Sequence, residues 1–154
     1  MFKNTILIIL LIFTTSCGYE PLHSKKNRID RSNISIAKII FIGDRDINIK
    51  IKEQLASYSK VKKEKDYTLE VNSEILKTTI AKDAKGDPSV FSLSIKTIVQ
   101  VKREDNINKK VIFSESFKYN NNEDKFEIRR YEKEIKRNLA QIIANDLIFK
   151  LSNY

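Results

Sequence analysis

Three consecutive segments whose side chains alternate in polarity constrain this chain more than any other feature. In Phe91 to Val101, the residues Phe91, Leu93, Ile95, Val99 and Val101 share one parity, and Ser92, Ser94, Lys96 and Gln100 share the other. Tyr67 to Ile80 places Tyr67, Leu69, Val71 and Ile75 against Thr68, Glu70, Asn72 and Glu74. Val111 to Tyr119 places Val111, Phe113, Phe117 and Tyr119 against Ser114, Ser116 and Lys118. Successive side chains of a strand point to opposite faces, so each segment predicts a strand with one apolar and one wet side. Gly86-Asp87-Pro88-Ser89 is turn chemistry and Glu104 to Lys110 is a polar loop, so the three strands form an antiparallel meander of hairpins.

Helical spacing flanks the meander. Ile34 to Ile42 is β-branched and aromatic and stops at Gly43-Asp44, which predicts a first strand. Asp46 offers an N-cap, and Ile47, Ile51, Leu55 and Tyr58 then recur at helical spacing. A strand joined to the meander through a helix permits parallel pairing and a mixed sheet. The charged run Lys60 to Asp66 between that helix and the next strand reads as a solvated turn. Beyond Asn120-Asn121-Asn122, Asp124 and Glu127 are spaced as a capping box, predicting a helix to about Leu151. Its apolar stripe is Ile128, Tyr131, Ile135, Leu139 and Ile142, turning toward Leu147 and Leu151 because Asp146 falls on the stripe. A basic helix lying on a membrane is the competing reading, but the apolar sheet face needs a cover. The expected fold is α+β: a two-layer α/β sandwich, a four-stranded mixed sheet with two helices covering one face, in the order β-α-β-β-β-α. Residues 34–154 form this single domain.

The first 16 residues predict something other than a folded element. Lys3 precedes an unbroken apolar run from Ile6 to Phe13, and Thr14, Thr15 and Ser16 lead to Cys17. This is a secretory signal pattern, and the run is well short of the roughly 20 apolar residues a membrane-spanning helix needs. Cys17 is the only cysteine, so it has no internal disulfide partner and is either a free or a modified thiol. Small residues followed by Cys resemble the bacterial lipoprotein signal, in which the thiol is lipidated and the chain is cut before it. Thr14 stands where such signals usually carry an aliphatic residue. An ordinary secreted protein with an odd cysteine, or an uncleaved short anchor, are the alternatives. Gly18 in place of Asp favours, by the same resemblance, the outer over the inner membrane. Residues 17–33 would then be the lipidated Cys and a flexible polar tether, with His23 an exposed side chain in it rather than a metal ligand.

The segment Cys17-Gly18-Tyr19-Glu20-Pro21-Leu22 resembles the opening of the lipopolysaccharide-assembly lipoprotein LptE family. The resemblance implies the same order of strands and helices. It also implies a non-catalytic role in lipopolysaccharide transport, as a plug and assembly aid in the lumen of the outer-membrane β-barrel LptD, with lipopolysaccharide itself as a ligand. A generic outer-membrane lipoprotein binding another envelope protein or an anionic ligand is the alternative.

The chain's chemistry is compatible with that expectation. The net charge of +9 draws phosphates, and export turns the expectation away from nucleic acid and toward lipopolysaccharide and lipid. Part of this charge reflects a composition crowded with Ile, Lys and Asn. Lys77, Lys82, Lys85 and Arg103, at a hairpin tip and adjoining strand ends, are the candidate lipopolysaccharide contacts, with solvated turn cations the plainer reading of each. The sequence contains no nucleophile elbow, Gly-rich phosphate loop or His-Glu metal motif. Asp44 with Asp46 and Glu104 with Asp105 are acidic pairs of the kind strand ends and turns carry, so no enzyme, cofactor or metal is expected.

Overall fold

The computed structural model describes residues 33–60, 62–103 and 108–154. The signal segment, Cys17 and His23 lie outside the described residues. β1 (Ile34–Gly43) pairs in parallel with β2 (Lys65–Lys82), and β2, β3 (Pro88–Lys102) and β4 (Asn108–Asn120) follow as an antiparallel meander. The sheet order is β1-β2-β3-β4. α1 (Arg45–Leu55), extended by a 3-10 turn over Ala56–Ser59, connects β1 to β2, and α2 (Lys125–Ser152) closes the chain. The mixed sheet and the two helices are those the polarity patterns predict.

Odd-numbered positions of the meander face the helices. Tyr67, Leu69 and Val71 of β2, Leu93, Ile95, Val99 and Val101 of β3, and Val111 and Phe113 of β4 are buried. Opposite them lie Ile47, Ile51, Leu55 and Tyr58, and from α2 Ile135, Leu139, Ile143, Leu147 and Leu151. Each aliphatic side chain fully removed from water contributes about 1.5 to 3 kcal/mol, so this two-layer core is what holds the helices down. In β1 the register shifts between Ile36 and Lys38. That bulge keeps Ile34 and Ile36 in the core while turning Lys38 to the open face.

Three expectations need correction. Asp44, not Asp46, caps α1: its backbone is extended (φ −62°, ψ 122°) and its carboxylate accepts the Ile47 N–H at 3.0 Å. The helix starts directly at the strand end, leaving no loop for a later cap. On α2 the stripe runs through Ile143 rather than Ile142, and Tyr131 and Ile142 are each 44% exposed. Ala140 and Ala144 are fully buried on the same side as Ile143, where α2 packs on α1 as well as on the sheet. Finally, half of the capping box is present. Asp124 accepts the N–H groups of Phe126 and Glu127 at 2.8 and 3.2 Å, whereas Glu127 turns to Arg130 at 2.6 Å. The Asp124 N–H is taken by Asn122 Oδ1 instead.

The face away from the helices carries Ser94, Lys96, Ser114, Ser116 and Lys118, as the alternation requires. It is not uniformly wet. Ile42, Asn72, Ile98 and Ile112 stand in one register row across all four strands, with Ile42 and Ile112 about half exposed.

Candidate interaction surfaces

Where α2 begins to cover the sheet, four aromatic rings and an ion pair come together. Strand register sets Thr79, Phe91 and Tyr119 side by side, and next to them Lys77, Leu93 and Phe117. The second turn of α2 lowers Tyr131 and Glu132 onto this patch. The Lys77 ammonium lies 2.6 Å from Glu132 Oε1 and 3.9 Å from the centre of the Phe91 ring. The Tyr119 hydroxyl donates to the same carboxylate oxygen at 2.6 Å. Tyr131 meets Phe117 and Tyr119 edge to face, with ring centres 6.4 and 6.0 Å apart.

These contacts set the ionisation of the patch. Burial alone would raise the Glu132 carboxyl, but hydrogen bonds from Lys77 and Tyr119 and the charges of Lys77 and Lys136 outweigh it, holding the group below the ordinary value. Burial, and then the hydrogen bond to Glu132 and its charge, push Tyr119 well above the ordinary phenol value. Lys77, expected as a ligand-facing cation, thus ties β2 to α2.

The other expected contacts lie elsewhere. Lys82 ends β2 and Lys85 sits in the following turn, where Asp83 Oδ1 accepts the N–H groups of Lys85 and Asp87, each at 2.9 Å. Gly86 completes that turn at φ +89°. Arg103 is at the opposite end of the sheet, with its guanidinium donating to the Tyr67 hydroxyl at 3.2 Å. Tyr67 in turn donates to the Leu151 carbonyl at 3.1 Å. The 15 residues of β3 separate the two ends, a span of about 50 Å. Lys82 and Lys85 thus share the β2–β3 hairpin, Lys77 is turned to Glu132, and Arg103 stands at the other end of the sheet.

An open groove of about 740 Å³ runs between the end of β4 and the first turns of α2, past Phe117, Tyr131, Asn121, Glu127 and Arg130. Neither the groove nor Glu132 is evident from the sequence. Tyr119 could be placed on the apolar side of β4 by its parity, but Glu132 sits among charged residues of a long helix. Only the docking of α2 on the sheet singles it out.

Among solved structures, the chain is similar to the rare lipoprotein B of Shewanella oneidensis, with a TM-score of 0.57 at 12% identity over 75% of this chain and 97% of that one. A minor lipoprotein of Acinetobacter baumannii superposes with a TM-score of 0.55 at 11% identity, over 75% and 90% of the two chains. Lipoprotein B of Nitrosomonas europaea gives 0.53 at 7% identity, over 79% and 86%. These proteins share one fold with this chain. At such low identity the likeness is one of architecture, extending nearly the whole length of those lipoproteins. No sequence family model matches the chain, and no curated protein matches it.

Proposed function

We propose that this protein is a non-catalytic lipoprotein of the outer membrane, anchored through acylated Cys17, that acts in lipopolysaccharide transport as LptE does. Its partner in this reading is an LptD-like β-barrel, which it plugs and helps to assemble, and lipopolysaccharide is its ligand. The observation that carries the proposal is a conjunction. A Cys-Gly-aromatic-x-Pro-Leu opening stands ahead of a domain whose fold recurs in lipoproteins. The open face of the sheet supports the barrel reading, since its serines and lysines suit a hydrophilic lumen. The isoleucine row Ile42, Ile98 and Ile112 gives that face a narrow apolar band for a partner to cover.

Extraction of the native protein in mild detergent, followed by pull-down, tests the proposal. Recovery of a large β-barrel in equal amount is the expected result. Absence of any barrel, with normal surface lipopolysaccharide after depletion, overturns it in favour of a lipoprotein serving another envelope protein or an anionic ligand. Mass spectrometry of the mature N-terminus tests the anchor separately, by looking for acyl chains on Cys17.

A further inference from the structure

Charge is unevenly distributed along the strand axis of the domain. One end of the sheet is formed by the starts of β1, β2 and β4 and the finish of β3, since Ile34 pairs with Lys65, Thr68 with Lys102, and Lys102 with Asn108. The 3-10 turn after α1 leads into this end, and α2 finishes there, where the Lys65 ammonium donates to the Ser152 carbonyl at 3.2 Å. Exposed at this end are Lys60, Lys62, Lys102, Lys109 and Lys110, and none of them makes an ion pair among the described residues. Lys109 rests 3.9 Å from the centre of the Tyr154 ring. Of the acids there, Glu64 accepts from Asn33 and Asp66 from Ser35 at 2.7 Å, and their two charges offset only part of the lysines'. Glu104 and Asp105 belong to the β3–β4 connection and lie outside the described residues. The far end is mixed in sign, with Lys82 and Lys85 beside Asp83 and Asp87.

The basic end is also where the chain enters the fold. Ile34 opens β1 at this end, and the sequence between it and Cys17 is also net basic, with Lys25, Lys26, Arg28 and Arg31 against Glu20 and Asp30. We propose that, before the domain enters a barrel, this end of it lies on the anionic phospholipid headgroups of the leaflet that holds the Cys17 acyl chains. The proposal rests on the acylation of Cys17. Lipid anchors and basic patches act together at membranes, and a headgroup field reaches only about 8 Å at physiological salt, so cations gathered at the tethered end feel it and those elsewhere do not. The strands then rise from the surface, and the Asp83–Asp87 turn is held about 50 Å above it.

The test is lysine footprinting of the lipidated full chain with a membrane-impermeant acylating reagent. The protein is reconstituted in vesicles of phosphatidylcholine alone or with about 30% phosphatidylglycerol. Lys60, Lys62, Lys109 and Lys110 are expected to react roughly threefold or more slowly on the anionic vesicles, with Lys82, Lys85 and Lys96 unchanged, and high salt should abolish the difference. The exposed double variant Lys109→Glu, Lys110→Glu should weaken protection at Lys60 and Lys62 as well. Equal reactivity on the two vesicles, or equal slowing at the hairpin lysines, overturns the proposal. Protection that needs lipopolysaccharide in place of phosphatidylglycerol, or an added barrel protein, also overturns it. Acyl chains on Cys17 are confirmed beforehand by mass spectrometry, so failure of the anchor and failure of the docked end give different results.

Discussion

The Ser73 hydroxyl donates to the side-chain oxygen of Asn48 over 2.7 Å, and both residues are buried. Asn48 on α1 also donates through Nδ2 to the Ile42 carbonyl at 2.9 Å, and the Asp44 N–H donates to the Ser73 carbonyl at 2.9 Å. The strand-to-helix corner is thus locked by polar groups that satisfy one another, joining β1, α1 and β2. Truncating Asn48 to Ala removes the Ile42 carbonyl's side-chain donor and leaves the buried Ser73 hydroxyl only its longer bond to the Asp44 carbonyl, at 3.3 Å. Asn48→Ala should cost about 1 to 3 kcal/mol, read as a lower urea midpoint with unchanged slope.

Gly43 in the same corner has φ +90°, and a Cβ placed on it would lie 2.0 Å from the Ser73 carbonyl oxygen. That oxygen is backbone and cannot turn aside. Gly86 has nearly the same φ, +89°, but nothing lies within 4 Å of its added Cβ. Gly86→Ala should therefore cost about 1 kcal/mol, from left-handed backbone strain alone. Gly43→Ala should cost several times more, and equal thermal midpoints for the two variants would refute this account of the corner.

Thr97 is fully buried on the helix-facing side of β3, and its hydroxyl has no hydrogen-bond partner among the described residues. A buried unpartnered hydroxyl is costly, while its methyl group packs like that of valine. Thr97→Val should leave the protein unchanged or up to about 1 kcal/mol more stable, measured by chemical denaturation.

Glu132 titrates below the ordinary carboxyl value in the folded protein. The unfolded state then binds the proton more readily, so the contribution to stability is present above the ordinary value and disappears as pH falls through the lower folded one. Glu132→Gln should flatten the acid limb of a stability–pH curve. Tyr119 shifts the other way: its folded value is raised above the ordinary 10.0. Its contribution is present below about pH 10 and is lost as pH rises past it, so Tyr119→Phe should flatten the alkaline limb.

Strand parity made most of this fold legible. Tyr67, Leu93 and Val111 lie on the side their alternation predicts, because a strand offers only two faces and one must be covered. α2 was harder, since the neighbouring isoleucines Ile142 and Ile143 differ by only one position on a helix that is charged for much of its length. Which of them turns inward depends on where α1 approaches, a tertiary fact. The bulge at Ala37 leaves a single trace, Lys38 at the same parity as Ile34 and Ile36, and the apolar run Ile39 to Ile42 beyond it does not show which side faces the core. The interaction surfaces were the least legible. Lys77 has the same local sequence character as Lys82, yet one reaches Glu132 on α2 and the other ends its strand at a turn.

The parallel pairing of β1 with β2 also bears on how the molecule is assembled in time. The β2–β4 meander closes through short connections, whereas β1 reaches its place only after α1 has bridged the gap, and distant pairings generally form later. The first strand of the domain would then be among the last to find its neighbour. Pulse-labelled amide exchange during refolding should show Leu76 and Val99, whose meander partners Ser94 and Val111 lie nearer in the chain, protected before Ile40, and in the interval an isoleucine-rich ribbon would remain open to any chaperone that can hold it.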